Sequence, residues 1–60
     1  MNTFLVIDDD RSIRSVLCKI IEQYDLGEVV AEADNGAKGE EQIIAHRPDI
    51  VIIDLLLPMK

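Results

Sequence analysis

Apolar and polar positions divide this chain into five segments. Thr3 to Ile7 is a short β-prone run without helical spacing, the pattern of a buried strand. It stops at three adjacent aspartates, Asp8, Asp9 and Asp10. Asp10 is well placed to cap a helix, because its carboxylate can accept from the free N–H groups of the first turn. Ile13, Val16, Leu17, Ile20, Ile21 and Tyr24 then follow the i, i+3, i+4, i+7, i+8, i+11 spacing of one helical face. Arg11, Arg14, Ser15, Lys19, Glu22 and Gln23 take the opposite side. Gly27 stands where a helix commonly ends in a left-handed residue.

Glu28 to Ala33, with Val29, Val30 and Ala31, reads as a second short strand, and Asp34-Asn35-Gly36 as a turn. A second helix is predicted from Ala37 to about His46, with a thin apolar face (Ala37, Ile43, Ile44) and a weak point at Gly39. His46 reads as a solvated residue of its last turn. Pro48 prevents the helix from continuing, and Asp49 to Asp54 forms a third strand. Its four consecutive β-branched residues, Ile50 to Ile53, suggest cover on both faces. The order β-α-β-α-β implies an α/β class, with a parallel sheet and right-handed crossovers. Sites in such sheets form outside the carboxyl ends of the strands. If the first strand is central, Asp8, Asp9 and Asp54 meet there.

The chain has 60 residues, room for one small domain or part of a larger one, and it shows no repeat, linker or low-complexity stretch. A chain of this size buries only about 60% of its unfolded surface. Hydrophobic content of 48% with 30% charged residues is globular, and with Phe4 and Tyr24 the only aromatics the core must be aliphatic. Six basic against twelve acidic residues leave a net charge of -6, which argues against a nucleic-acid or anionic-membrane surface. Cys18 is the only cysteine, which excludes an internal disulfide and makes a reducing compartment the default; it reads as a small inert side chain on a helix. The start of the chain lacks the basic region of a signal peptide. An apolar run such as Ile50 to Ile53 is far short of the roughly 18 residues that span a bilayer. A cytoplasmic protein is expected.

Charge patterning changes the picture most at the aspartates. Adjacent carboxylates repel, so a positive group is expected to relieve Asp8, Asp9 and Asp10. Carboxylate oxygens without His or Cys nearby favour a hard cation, magnesium or manganese. Magnesium tends to use one or two carboxylates and to keep positions for waters and substrate phosphate oxygens. An aspartate beside such an ion can also act as a nucleophile toward phosphorus, the metal offsetting the repulsion between two anions. A single acid at a strand end ordinarily caps a helix or solvates a turn, and Asp10 and Asp49 are read that way. Asp8 and Asp9 after one buried strand, with Asp54 after another, are read as a site.

The arrangement resembles a known family. Leu5-Val6-Ile7-Asp8-Asp9-Asp10, followed by a helix with Ile13 and Arg14, resembles the opening of a response-regulator receiver domain, whose acidic pair ends the first strand. Ala33-Asp34-Asn35-Gly36 is similar to that family's turn after its second strand. Arg47-Pro48-Asp49-Ile50-Val51-Ile52-Ile53-Asp54-Leu55-Leu56-Leu57-Pro58 resembles its third strand, phosphorylated aspartate and following loop. The resemblance covers essentially the whole chain and implies the amino-terminal half of a receiver domain over residues 1–60. The implied fold is a doubly wound, flavodoxin-like sheet truncated to three strands in the order 2-1-3. It further implies that Asp54 accepts a phosphoryl group from a sensor histidine kinase. Asp9 and Asp54 would bind magnesium through their carboxylates, Leu56 through its backbone carbonyl, and Asp8 through water.

Such a receiver is a signalling module of a two-component phosphorelay and not an enzyme. Leu57 stands where the family usually has Met, and Glu40 where the second helix normally turns a Leu inward, which implies a loosely packed helix. The family's switch Ser or Thr and its site lysine would lie beyond residue 60, and Lys60 is not a candidate for that lysine. An output domain elsewhere could bind DNA, and self-association could run through the receiver or through the exposed third strand.

Three other readings compete. In a haloacid-dehalogenase-like phosphatase, Ile7-Asp8-Asp9-Asp10-Arg11-Ser12 would supply Asp8 as nucleophile and Asp10 as acid/base, but Arg11 replaces the usual Gly and Asp54 is left unexplained. A nucleotide hydrolase would need a Gly-x-x-x-x-Gly-Lys loop, which is absent. A receiver-like interaction module that is never phosphorylated is the non-catalytic alternative.

Overall fold

The structure, a computed structural model, describes residues 1–54. Leu56, expected to offer a backbone carbonyl to the metal, lies outside the described residues, as do Leu57, Pro58 and Lys60. The element order is β1 (Thr3–Ile7), α1 (Arg11–Gln23), β2 (Glu28–Ala33), α2 (Gly36–His46) and β3 (Ile50–Ile53). The strands form one parallel sheet in the order β2-β1-β3, the expected truncated doubly wound arrangement. β3 is shorter than the predicted Asp49–Asp54, and α2 begins one residue before the predicted Ala37.

Strong local signals set the element ends. Asp10 caps α1, its Oδ1 accepting from the N–H groups of Ser12 at 2.8 Å and Ile13 at 3.2 Å. Asn35 caps α2 in the same way, accepting from the Lys38 N–H at 2.8 Å. Two residues with positive φ end the helices, Asp25 (φ 53) just beyond α1 and Arg47 (φ 46) at the C-cap of α2. The expectation that Gly27 would be the left-handed residue is therefore corrected. Asp25 makes that turn, as a short polar side chain can, while the Leu26 N–H returns to the Ile21 carbonyl at 3.0 Å. Gly27 is needed for a different reason: a Cβ there would run into the Asn2 carbonyl oxygen and the Phe4 ring.

The core sits on both faces of β1. Phe4 and Val6 point to the α1 side and pack with Ile21, Leu17, Cys18, Val29, Ile50 and Ile52. Leu5 and Ile7 point to the other side with Ala31 and Ala33, where α2 lies close enough that a Cβ on Gly39 would strike Ile7. Leu5 and Val6 are completely buried. In the β1–β2 pairing the register slips between Phe4 and Leu5, so that Leu5 stands opposite Ala31 and not Val30.

Two expectations about cover are revised. α1 turns Arg14, Leu17, Cys18 and Ile21 toward the sheet, and leaves Ile13, Val16, Ile20 and Tyr24 exposed. Arg14, placed on the polar side by spacing alone, is only 16% exposed in its side chain. The strand β3 has Ile50 and Ile52 half-buried, but Val51 and Ile53 remain 40% and 37% exposed. The reason is that α2 packs over β2 and β1 and does not reach β3. Glu40 is exposed, and Ile43 and Ile44 are exposed with it, in keeping with a thinly packed α2.

Candidate metal and phosphoryl-acceptor site

The aspartates lie where the two inner strand ladders run out. One step past β1, the Asp8 N–H donates to the Ala33 carbonyl at 3.0 Å, extending the β1–β2 ladder. One step past β3, the Asp54 N–H donates to the Ile7 carbonyl at 3.1 Å, extending the β3–β1 ladder. The sheet therefore holds the backbones of Asp8 and Asp54 at one level although they are far apart in sequence. Side-chain oxygens of Asp8, Asp9 and Asp54 lie within 4.8 Å of one another. Asp8 is buried, Asp54 half-buried and Asp9 exposed, so the group opens outward past Asp9.

Hydrogen bonds orient Asp8. Its Oδ1 accepts from the Asp10 N–H at 2.8 Å, and its carbonyl oxygen accepts from Arg14 Nη1 at 2.6 Å. Arg14 Nε reaches Glu32 Oε1 on β2 at 3.3 Å. The donor set of the group is carboxylate only, which suits a hard, oxygen-seeking divalent ion such as magnesium and not zinc or copper. Three anionic groups at this spacing repel strongly unless a cation sits among them.

The other candidates separate cleanly. Asp10 and Asp49 serve structure, as expected: Asp10 is the α1 cap, and Asp49 Oδ2 accepts from the Thr3 N–H at 2.8 Å and from its hydroxyl at 3.0 Å. Those two bonds, the backbone one first, hold the Asp49 carboxyl below its ordinary value. The phosphatase alternative needs Asp10 as acid/base, but its carboxylate is committed to the helix N-terminus. His46 is an exposed last-turn residue of α2. Cys18 is half-buried, and burial, followed by the neighbouring Glu32, pushes its thiol up, which makes it a poor nucleophile. Charge patterning missed Arg14. The signal that could have found it is its position in the first turn after the cap, one turn from Asp10 and on the side of Leu17, Cys18 and Ile21.

No helix among the described residues is long and apolar enough to cross a membrane. Residues 4–60 match the family described as the response regulator receiver domain. Similar proteins include the transcriptional regulatory protein GlnL of Bacillus subtilis, 48% identical over 56 residues that make up 92% of this chain and 18% of that protein. The transcriptional regulatory protein RstA of Escherichia coli is 33% identical over 60 residues, all of this chain and 24% of RstA. A protein-glutamate methylesterase/protein-glutamine glutaminase of Methanosarcina acetivorans is 42% identical over 55 residues, 92% of this chain and 15% of that protein. The chain thus spans about a quarter or less of the length of these relatives. With nearly its whole length matched and the parallel 2-1-3 sheet in place, this chain belongs to the response regulator receiver domain family and to two-component signalling.

Proposed function

We propose that residues 1–60 are the amino-terminal half of a receiver domain in which Asp54 accepts a phosphoryl group from a phosphohistidine on a sensor kinase, with magnesium held by Asp8, Asp9 and Asp54 and by the backbone carbonyl of Leu56. The observation that carries this reading is the gathering of three carboxylates from two separate strand ends within 4.8 Å. A carboxylate oxygen of Asp54 attacks phosphorus, the bond from phosphorus to the histidine nitrogen breaks, and an acyl phosphate on Asp54 results. A bound divalent ion supplies charge neutralisation between the carboxylates and the phosphoryl oxygens. Asp8 is fixed by its three hydrogen bonds, through N, O and Oδ1, and keeps its acid group turned toward Asp54. Asp54 is half-buried and its N–H is anchored on the Ile7 carbonyl, which gives the acceptor a fixed backbone.

In this reading the segment is a phosphoryl acceptor and not itself an enzyme. The methylesterase name of one relative describes a protein of which the matched stretch is 15%. What the rest of the protein does with the signal, DNA binding included, belongs to parts outside this chain.

The test uses the full-length protein, acetyl phosphate as donor, and intact mass as readout. With magnesium, one phosphoryl adduct is expected; Asp54→Asn or complete chelation should abolish it. Labelling that survives in Asp54→Asn but is lost in Asp8→Asn would hand the assignment to the phosphatase-like alternative. Equal labelling under chelation would remove the metal from the proposal.

A further inference from the structure

Arg14 closes a ring of hydrogen bonds around the acidic turn. Its side chain donates through Nη1 to the Asp8 carbonyl oxygen at 2.6 Å, its own N–H donates to the Asp10 carbonyl at 3.0 Å, and the Asp10 N–H donates to Asp8 Oδ1 at 2.8 Å. The Asp8 carbonyl belongs to the planar peptide that joins Asp8 to Asp9, so fixing that oxygen fixes the plane from which the Asp9 side chain departs. Asp9 is exposed, so the course of its backbone matters for where its carboxylate stands. The second arm of the guanidinium, Nε, leans on Glu32 of β2 at 3.3 Å, so the fork spans from the sheet edge to the turn. A lysine, with one point of charge, cannot make both contacts in this geometry.

We infer that Arg14 is a positioning residue that sets the Asp8–Asp9 peptide plane and thereby the metal affinity of the aspartate group, with Glu32 as its support. The inference rests on the proposed metal-binding role of Asp8, Asp9 and Asp54. In this assignment Arg14 is not a ligand; it acts through the backbone of Asp8. Outer groups that orient ligands in this way typically govern metal affinity by 10–100-fold.

The experiment is a magnesium titration of the full-length protein, unphosphorylated, followed by the amide resonances of Asp9 and Asp10, with amide exchange at Asp10 measured separately without metal. Arg14→Ala is expected to raise the apparent magnesium Kd by about tenfold or more and to speed exchange at Asp10. Arg14→Lys should recover part of the loss, and Glu32→Gln should shift affinity in the same direction by less. Ile21→Val, which loosens the core on the same helix, should lower stability and leave magnesium affinity unchanged. Wild-type affinity and wild-type Asp10 exchange in Arg14→Ala would overturn the inference. If Arg14→Ala does not fold, Arg14→Lys and Glu32→Gln give the same reading. A wild-type protein with no magnesium response would defeat the metal proposal itself, and the metal-free exchange at Asp10 would still decide whether Arg14 orders the turn.

Discussion

Gly27 and Gly39 are both packed where a methyl group has no room, but against different neighbours. At Gly27 the obstacle is the backbone oxygen of Asn2, which already accepts from the Glu28 N–H at 2.8 Å and cannot move without breaking the start of the β1–β2 pairing. At Gly39 it is the side chain of Ile7, whose far end can turn, and an alanine there regains about 1 kcal/mol of helix propensity. Gly27→Ala is therefore expected to destabilise by about 1–3 kcal/mol, the usual cost of overpacking, and Gly39→Ala by less. Denaturant midpoints of the two variants decide it, and the reverse order would refute the argument. Neither role was legible in the sequence. Gly39 read as a weak point in a helix and Gly27 as a helix stop, because close approach depends on which distant residue arrives. The aspartates were legible for the opposite reason: Asp8 and Asp54 each directly follow a strand with a clear apolar pattern and Asp9 comes next to Asp8, so strand order brought them together.

Among the elements, the joint between β1 and β3 is the most informative. Thr3 and Asp49 lie 46 residues apart and bind reciprocally: Thr3 donates from its N–H and hydroxyl to Asp49 Oδ2, and Asp49 returns its N–H to Thr3 Oγ1 at 3.0 Å. The carboxyl of Asp49 is thereby held below its ordinary value of 3.8. Because the folded value is depressed, the ionised Asp49 contributes stability above the unfolded value, and that contribution is lost as pH falls through the folded one. The stability difference between wild type and Asp49→Asn should accordingly narrow below the ordinary value of 3.8 and be constant at neutral pH. A difference that stays flat through the acid range would show that this joint does not depend on charge. At this scale the sequence told most about existence and least about orientation. The periodicity of α1 placed the helix correctly, yet the inward row is 14, 17, 18 and 21, rotated toward the polar side because the Asp8 carbonyl and Glu32 draw Arg14 in.

For the whole molecule, cover is uneven. β1 is flanked by strands on both sides and packed on both faces, while β3 pairs only with β1 among the described residues and carries half-open Val51 and Ile53. A flat apolar edge of that kind offers unpaired backbone groups to another chain. The isolated 60-residue polypeptide is therefore expected to sediment as species larger than a monomer at tens of micromolar, roughly the range where exposed edges associate. Val51→Lys, which puts a charge on the open face, should return it toward monomer. A wild-type 60-mer that stays monomeric with protected β3 amides would show that the net charge of -6 outweighs the edge.

The central position of β1 also has a consequence for biosynthesis. Asp8 and Asp9 leave the ribosome before Asp54, which follows only after both helices and β2, seconds later at roughly 5–20 residues per second. β3 must then slot against the free side of β1 before the three carboxylates come together. Until β3 has emerged and paired with β1, a nascent chain holds only part of the aspartate group.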